Sequence, residues 1–266
     1  MKPFEDSWVL VTGASSGLGH EFARQLAHAG ANLILSARSR ERLEQLALDL
    51  GRVAGAKAHV VPCDLARPGG AGELSAAVDA LGVSVTHLVN DAGFGSAGPF
   101  VASEPQALSE MVRVNAEAVA MLSRHFLPAM VAAGRGGIIN VASTAGHQPV
   151  PYMATYAASK AFVLNFSLAL AAELRGTGVH VMALCPGPVQ TGFQERAGID
   201  HARMFRLAVL SSTETVELAL AAYAKGKELF VPGRINRAQT LAAKLLPRPL
   251  LTWGALRASE RMGRAR

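Results

Sequence analysis

The sequence predicts an α/β fold in which helices cover both faces of a single parallel sheet. Short runs rich in Val, Ile and Leu alternate with longer stretches whose apolar residues recur at helical spacing. Apolar runs without polar alternation are typical of strands that are buried on both faces. Regular alternation of strand and helix favours a doubly wound sheet with right-handed crossovers. Seven strands are predicted, at residues 8–13, 31–37, 58–63, 86–91, 137–143, 179–185 and 228–233.

The chain of 266 residues is predicted to form one domain, because it shows neither an internal repeat nor a low-complexity linker. We assign residues 1–233 to the α/β domain and residues 234–266 to a C-terminal helical extension of the same domain. The extension contains eight basic residues and one acid, a formal charge of +7, whereas the whole chain carries +6. Since the rest of the chain is close to neutral, no nucleic-acid partner is expected.

The extension combines its basic residues with leucines and Trp253, and Pro247 and Pro249 divide it into two parts. The sequence is compatible with four locations of the extension. It can pack on its own domain, cover a neighbouring subunit, roof the substrate cleft, or lie on an anionic membrane surface.

Other features of the sequence indicate a cytoplasmic protein that is soluble or peripheral to a membrane. No uncharged apolar stretch reaches the roughly 18–20 residues of a membrane span, and the first residues lack the apolar run of a signal peptide. The two cysteines, Cys63 and Cys185, each end an apolar run and are predicted to be buried free thiols. The eight histidines show no metal-ligand spacing, so no metal is expected.

A glycine-rich segment follows the first strand and opens a predicted helix. Glycines at this place allow a tight turn and a close approach to a pyrophosphate, while the N-terminus of the helix offers free N–H groups to the phosphates. The strand-to-helix context supports a dinucleotide site more strongly than the glycines alone. The residues predicted to bind the dinucleotide here are Gly13, Ser15, Ser16, Gly17, Leu18 and Gly19.

The end of the second strand indicates which dinucleotide is preferred. An NAD site commonly places an acid at this edge, whereas this chain has Ala37 followed by Arg38. A guanidinium there can pair with a 2′-phosphate, which favours NADP(H), although a solvated arginine at a helix start is the alternative. Asp64, after the third strand, is predicted to accept a hydrogen bond from the adenine amino group or to cap the next helix.

Four side chains are predicted to carry catalysis. Tyr156 and Lys160 are four residues apart in a strongly helical stretch, which places both on one helix face. We expect the ammonium of Lys160 to favour the phenolate and so to lower the pKa of Tyr156. Ser143 ends a strand, where its hydroxyl is suited to hold a substrate oxygen or to cap a turn. Asn115 interrupts a stretch that otherwise favours a helix. It is either a core residue whose amide is hydrogen-bonded by the backbone or a part of the site.

These pieces together resemble the short-chain dehydrogenase/reductase family, over roughly residues 8 to 192. The matching motifs are Thr12-Gly13-x3-Gly17-x-Gly19, Asn90-Asp91-Ala92-Gly93, Asn115, Ser143, Tyr156-x3-Lys160, and Pro186-Gly187 with Thr191. The resemblance implies a Rossmann-like domain that binds NADP(H) and interconverts carbonyls and alcohols. It implies further dinucleotide contacts from Leu65, Asn90, Ala92, Gly93, Tyr156, Lys160, Pro186, Gly187, Val189 and Thr191.

The resemblance also assigns roles to two of these residues. It implies that Asn115 organises a proton path towards Lys160, and that Thr191 binds the nicotinamide carboxamide unless it caps the next helix. In one place the chain departs from the family, which usually has two Asn where this chain has Asn90-Asp91. An ionised Asp accepts hydrogen bonds but cannot donate them.

The function predicted from the sequence is that of an NADPH-dependent oxidoreductase that interconverts a carbonyl and a primary or secondary alcohol. A small, apolar substrate and a homodimer or homotetramer are expected. The alternatives are a non-catalytic dinucleotide-sensing regulator and a membrane-associated long-chain acyl or steroid reductase, the branch that Phe94-Gly95 and the tail resemble. The apolar residues between 192 and 210 either line the substrate site or pack a helix onto the domain: Phe193, Met204, Phe205 and Leu207.

Overall fold

A computed structural model of the protein describes residues 4–192 and 209–261. Seven parallel strands form its main sheet, in the order β3-β2-β1-β4-β5-β6-β9. A separate parallel pair joins β7 to β8. The strands are β1 (Trp8–Thr12), β2 (Asn32–Ser36), β3 (Ala58–Val60), β4 (Val85–Asn90), β5 (Gly136–Val141), β6 (Val179–Leu184), β7 (Val189–Gln190), β8 (Leu210–Ser211) and β9 (Leu229–Phe230).

Helices connect the strands and cover both faces of the sheet. They are α1 (Gly17–His28), α2 (Arg40–Ala54), α3 (Gly70–Asp79), α4 (Pro105–Val112), α5 (Ala118–Ala132), α6 (Ala154–Glu173), α7 (Ser212–Ala224), α8 (Arg234–Leu245) and α9 (Arg248–Arg261). A π-helical turn, Arg113–Glu117, joins α4 to α5, and a 3₁₀ turn, Thr144–His147, follows β5.

The apolar strand residues build two cores because successive side chains point to opposite faces of a strand. Val9 and Val11 of β1 pack with α1, α2 and α7, whereas Leu10 between them packs with α3 and α5. This double burial explains why the strands read as continuous apolar runs.

All seven predicted strands are present in the sheet, so the predicted fold is confirmed. Six of them are shorter than predicted, and two are shorter by at least three residues. The third and last runs shrink to β3 and β9 because these are the edge strands of the sheet, each with one neighbouring strand. The pair β7–β8 was not predicted, since two residues per strand are too few to show a periodic pattern.

The C-terminal extension is helical, as predicted, and its described part packs on its own domain. Thr240 and Ala243 of α8 are buried, and α8 lies against the 3₁₀ turn Thr144–His147. In α9, the Ser259 hydroxyl donates to the carbonyl of Pro151 at 3.2 Å. Across the described ranges, no helix is both long and apolar enough to traverse a lipid bilayer.

The topology gathers the loops that matter for function at one edge of the sheet. Because the strands are parallel, the chain leaves β1, β2, β4, β5 and β6 at the same carboxyl edge. The strand order reverses direction between β1 and β4. Ligands of open α/β sheets bind in the crevice at such a switch point.

Candidate active site

A cleft of about 590 Å³ opens at the carboxyl edge of the sheet. The loops after β1, β2, β4, β5 and β6 line it, together with residues of α6 and α8. Most of the predicted site residues lie on its wall: Gly13, Ser15, Ser16, Gly17, Leu18, Arg38, Asp64, Leu65, Ala92, Gly93, Ser143, Tyr156, Lys160, Pro186, Gly187, Val189 and Thr191. The other three, Gly19, Asn90 and Asn115, lie behind the wall.

The glycine-rich loop has the backbone shape that a phosphate cradle needs. Gly13 and Gly17 both adopt positive φ, at 73° and 61°, a conformation that residues with a Cβ rarely reach. A Cβ on Gly17 would lie 3.4 Å from the methyl carbon of Thr191, so the loop lies directly beside Thr191. The first turn of α1 begins at Gly17, and the side chain of Ser16 does not cap it. This arrangement fits the pyrophosphate of a dinucleotide.

Gly19 contributes to the cleft by packing and not by lining it. A Cβ at this position would lie 2.5 Å from the carbonyl oxygen of Gly13 and 2.8 Å from Oδ2 of Asp91. The backbone N–H of Gly19 donates to the Asp91 carboxylate. The absence of a side chain therefore lets α1 approach the glycine loop closely enough to make this bond.

The side chain of Asn90 belongs to a buried polar network beneath the cleft. Its amide nitrogen donates to Oδ1 of Asn140 at 2.9 Å, and Asn140 in turn donates to the hydroxyl of Ser167 at 3.0 Å. These bonds join β4, β5 and α6. The amide nitrogen of Asn90 is thus held beneath the cleft, and the dinucleotide contact of this residue stays a prediction.

The wall near the end of β2 is basic. Arg38 lines the cleft there, and so does Arg42 of the first turn of α2. Asp64 lines the same end, and its carboxylate accepts from the N–H of Ala66 at 3.0 Å. The next helix begins at Gly70, so the alternative in which Asp64 caps it is wrong.

Ser143 and Tyr156 meet inside the cleft. The hydroxyl of Ser143 hydrogen-bonds the phenol of Tyr156, which is 9% exposed. The same serine oxygen accepts from the N–H of Ala145 at 3.1 Å and begins the 3₁₀ turn. The interpretation of Ser143 as a turn cap is therefore confirmed, whereas its role in holding a substrate oxygen stays a prediction.

We expected Lys160 to lower the pKa of Tyr156, and this direction was wrong, because the pKa is raised. That pKa is raised to about 12, because burial and, to a smaller extent, the negative charge of Asp91 raise it by more than the Ser143 hydrogen bond lowers it. Sequence spacing places a cation four residues away but says nothing of desolvation, and desolvation is the larger effect. The phenol consequently holds its proton firmly.

Lys160 is buried behind the tyrosine. Its Nζ donates to the carbonyl of Val141 at 2.7 Å and lies 6.0 Å from the centre of the Tyr156 ring. Burial lowers the pKa of Lys160 and raises that of Asp91, since low polarity disfavours both charges. Their mutual attraction opposes both shifts. The carboxylate at the family's usual Asn position thus acts as a counter-charge to Lys160.

Asn115 fixes the main chain beside this pair. It is fully buried in the π-helical turn, and its amide both donates to the carbonyl of Phe94 at 2.9 Å and accepts from the N–H of Phe94 at 3.1 Å. It also donates to the hydroxyl of Ser159 at 3.0 Å. A Cβ on Gly93 would lie 3.1 Å from Oδ1 of Asn115 and 3.3 Å from Nζ of Lys160. Asn115 and Lys160 therefore converge on the backbone of Gly93.

Comparison with known proteins agrees with this geometry. Residues 7–201 match the family described as short chain dehydrogenase. The chain is a short-chain dehydrogenase/reductase.

Two curated relatives of this short-chain dehydrogenase/reductase are named as reductases of oxoacyl groups. It is 36% identical over 184 residues to a very-long-chain 3-oxoacyl-CoA reductase of Phaeosphaeria nodorum. The aligned residues cover 67% of this chain and 53% of the relative. It is 38% identical over 202 residues to a granaticin polyketide synthase putative ketoacyl reductase of Streptomyces violaceoruber, covering 75% of this chain and 74% of the relative. The chain thus spans about half the length of the first relative.

Two similar solved structures contain different nicotinamide dinucleotides. A short-chain dehydrogenase from Sphingobium yanoikuyae in complex with NADPH has a TM-score of 0.80 and 29% identity, covering 91% of this chain and 97% of that one. A short-chain dehydrogenase/reductase from Burkholderia phymatum in complex with NAD has the same TM-score and identity, covering 91% and 94%. The similarity of the fold to these two structures therefore does not distinguish between the two dinucleotides.

The structure of this short-chain dehydrogenase/reductase also shows site residues that the sequence argument missed. Asn236 of α8 is buried, and its amide occupies the space that a Cβ on Gly187 would fill. Its Nδ2 donates to the carbonyl of Pro232 at 3.0 Å. Thr240 and Ala243, farther along α8, line the cleft. No motif marks these residues, because they reach the site through the approach of the C-terminal extension.

Part of the predicted substrate site cannot be placed. Phe193, Met204, Phe205 and Leu207 lie outside the described residues. Within the described ranges, no group of three or more His, Cys, Asp or Glu side chains is positioned to hold a metal ion. Of the two cysteines, Cys185 is buried and Cys63 is half-buried, and neither forms a disulfide.

Proposed function

We propose that this enzyme reduces the ketone of an apolar substrate at the expense of NADPH. The observation that carries the proposal is the hydrogen-bonded pair of Ser143 and Tyr156, which lies in the same cleft as the glycine-rich loop. Two hydroxyls side by side are suited to a single carbonyl oxygen, one holding it and the other supplying a proton.

The roles of the side chains follow from their protonation. A phenol with a pKa of about 12 keeps its proton at neutral pH and gives it up only to a strong base, such as the alkoxide formed when a ketone is reduced. Ser143 orients the carbonyl oxygen toward the phenol, and Lys160 stabilises the phenolate that remains. When bound, the reduced nicotinamide supplies the hydride for this reaction.

The preference for NADPH is inferred from the two arginines at the end of β2. Arg38 and Arg42 line the cleft where an NAD site commonly has an acid. A charge-assisted bond to a 2′-phosphate contributes about 1.5–3 kcal/mol, or roughly 10- to 150-fold in affinity. The arginines therefore distinguish the phosphorylated dinucleotide from NAD.

We expect Arg38→Asp to raise the Kd for NADPH by roughly tenfold or more, because the acid repels the 2′-phosphate, and to change the Kd for NADH far less. Fluorescence titration with both dinucleotides measures this. Arg40→Asp is the matched control, since Arg40 is exposed, pairs with Glu44 at 3.5 Å and does not line the cleft. Equal weakening of NADPH and NADH by Arg38→Asp contradicts the assignment.

The proposed substrate is a 3-oxoacyl thioester. The curated relatives in Phaeosphaeria and Streptomyces support it by their names. The cleft supports it by its apolar wall beside the hydroxyl pair, which includes Phe94, Val150 and Met153. An acyl chain gains about 0.8 kcal/mol for each methylene group that it buries against such a wall.

The test is turnover by Tyr156→Phe with NADPH and a series of 3-oxoacyl thioesters of increasing chain length. We expect the variant to bind NADPH normally and to lose kcat by at least about 100-fold, because it lacks the proton donor. Tyr152→Phe is the matched control, since this second phenol does not line the cleft. Near-normal kcat in Tyr156→Phe contradicts the proposed acid. Failure of the thioesters beside active simple ketones contradicts only the substrate.

A further inference from the structure

The C-terminal extension carries a surface of exposed apolar side chains. On α8, Leu241 and Leu245 are 58% and 77% exposed, and on α9, Leu250 and Trp253 are 57% and 63% exposed. Residues three or four apart share one face of a helix, so each helix presents its pair together. Leu246, between the helices, is 48% exposed. We call these five residues the apolar face.

Exposed basic side chains lie on the same two helices as the apolar face. Five lie in the described part of the extension and are exposed: Arg234, Arg237, Lys244, Arg248 and Arg257. The guanidinium of Arg257 lies 5.8 Å from the ring centre of Trp253. Long basic side chains can keep their charge in water while their stems lie along an apolar surface. Glu260 is the single acid from residue 234 to the end of the chain.

The opposite side of α8 belongs to the enzyme. Asn236, Thr240 and Ala243 are buried, and the last two line the cleft. On a helical wheel they lie roughly opposite Leu241 and Leu245, at 100° per residue. One helix, about 10 Å in diameter, thus separates the cleft from the apolar face.

We propose that the apolar face docks on the surface of an anionic lipid bilayer. Leucine and tryptophan enter the boundary between headgroups and acyl chains, while the exposed arginines and lysine of the extension meet the lipid phosphates. Each basic side chain close to such a surface strengthens partitioning roughly fivefold. The extension lies on the surface as an interfacial helix pair, and its inner side continues to line the cleft.

The charge of the extension favours lipid over a second copy of this chain. Residues 234–266 carry a formal charge of +7, so two apolar faces brought together would also bring two sets of cations together. An anionic membrane removes that repulsion and satisfies the apolar side chains as well. The proposal goes beyond the reaction and does not depend on which substrate the enzyme reduces.

The experiment is sedimentation of the full chain with lipid vesicles, in the absence of any carbonyl substrate. Vesicles of phosphatidylcholine alone are compared with vesicles that also contain phosphatidylserine. The apolar face is tested with the double variant Leu245→Glu/Trp253→Glu, and the charge with Arg237→Gln/Arg248→Gln. Val53→Glu is the matched control, because Val53 is 70% exposed on α2, outside the extension. NADPH titration of each variant verifies that it is folded.

The wild-type protein and Val53→Glu are expected to sediment with phosphatidylserine vesicles and to do so less at high salt, which screens the charges. Both double variants are expected to lose at least tenfold in partitioning while they bind NADPH normally. Wild-type protein that stays in the supernatant overturns the proposal, as does equal binding by wild type and Leu245→Glu/Trp253→Glu. A self-associated wild type that this variant converts to a smaller species in light scattering overturns it in favour of a second copy.

Discussion

Replacement of Gly19 by Ala is expected to damage both the fold and the dinucleotide site. The added Cβ would lie 2.5 Å from the carbonyl oxygen of Gly13 and 2.8 Å from Oδ2 of Asp91. Neither contact can be relieved by moving the end of a flexible side chain. The first is main chain of the glycine-rich loop, and the second is held by the N–H of Gly19 itself. Either α1 or the loop must therefore shift.

The size of the effect follows from two opposing contributions. Alanine in a helix is favoured over glycine by about 1 kcal/mol. Overpacking of a closely packed contact costs about 1–3 kcal/mol. We therefore expect the free energy of unfolding to fall by up to about 2 kcal/mol. A displaced loop also weakens NADPH binding, by about tenfold for each 1.4 kcal/mol of lost interaction. Urea denaturation and fluorescence titration with NADPH measure the two effects.

Gly72→Ala provides the matched control. Gly72 lies in α3, and a Cβ there meets nothing within 4 Å. This variant is expected to gain about 0.4–1 kcal/mol and to bind NADPH with unchanged affinity. The reasoning is refuted if Gly19→Ala unfolds at the same urea concentration as the wild type and binds NADPH equally well. The glycine-rich loop would then accommodate the Cβ without loss of stability or affinity.

Two further predictions concern pH. Asp91→Asn should move the alkaline limb of kcat/KM for ketone reduction to lower pH, because the charge of Asp91 raises the pKa of both Lys160 and Tyr156; an unmoved limb in a folded variant contradicts this. The buried imidazole of His87 has a pKa of about 4 instead of 6.5, so the unfolded chain takes up its proton first as the pH falls. Stability is consequently lost between these values, by about 2 kcal/mol at about pH 5. Urea denaturation at neutral and acidic pH should show this loss in the wild type and not in His87→Leu; equal losses would argue against it.

The sheet could be predicted from sequence because its strands are buried on both faces. Each of the seven apolar runs that were predicted to be strands contains a strand of the sheet, and their alternation with helices is enough to predict a parallel sheet. The predicted boundaries differ from the structure at the edges, where β3 and β9 keep only three and two paired residues. How long an edge strand stays paired depends on its one neighbour, and the sequence of the strand does not contain that information.

The candidate site could be predicted only where one segment carries its own signal. Tyr156 and Lys160 share a helix face, and Gly17 opens α1, so spacing alone places these residues. The fit of Asn236 against Gly187 joins positions 49 residues apart and has no local signature. The shifted pKa of Tyr156 was missed for a related reason, since burial is a property of the assembled domain. The assignments of individual residues to dinucleotide contacts, the oligomeric state and the cytoplasmic location stay predictions.

The carboxylate of Asp91 acts in two places in this short-chain dehydrogenase/reductase. It contacts the glycine-rich loop region, and it acts on the charges of Lys160 and Tyr156. One side of Asp91 accepts the N–H of Gly19, at the point where α1 meets the glycine-rich loop. The charge of the same group raises the pKa of Lys160 and of Tyr156. An amide at this position could accept the same N–H without acting on either pKa, because it carries no charge. The variant Asp91→Asn therefore separates the two effects, because it keeps an acceptor for the N–H of Gly19 and removes the charge that acts on Lys160 and Tyr156.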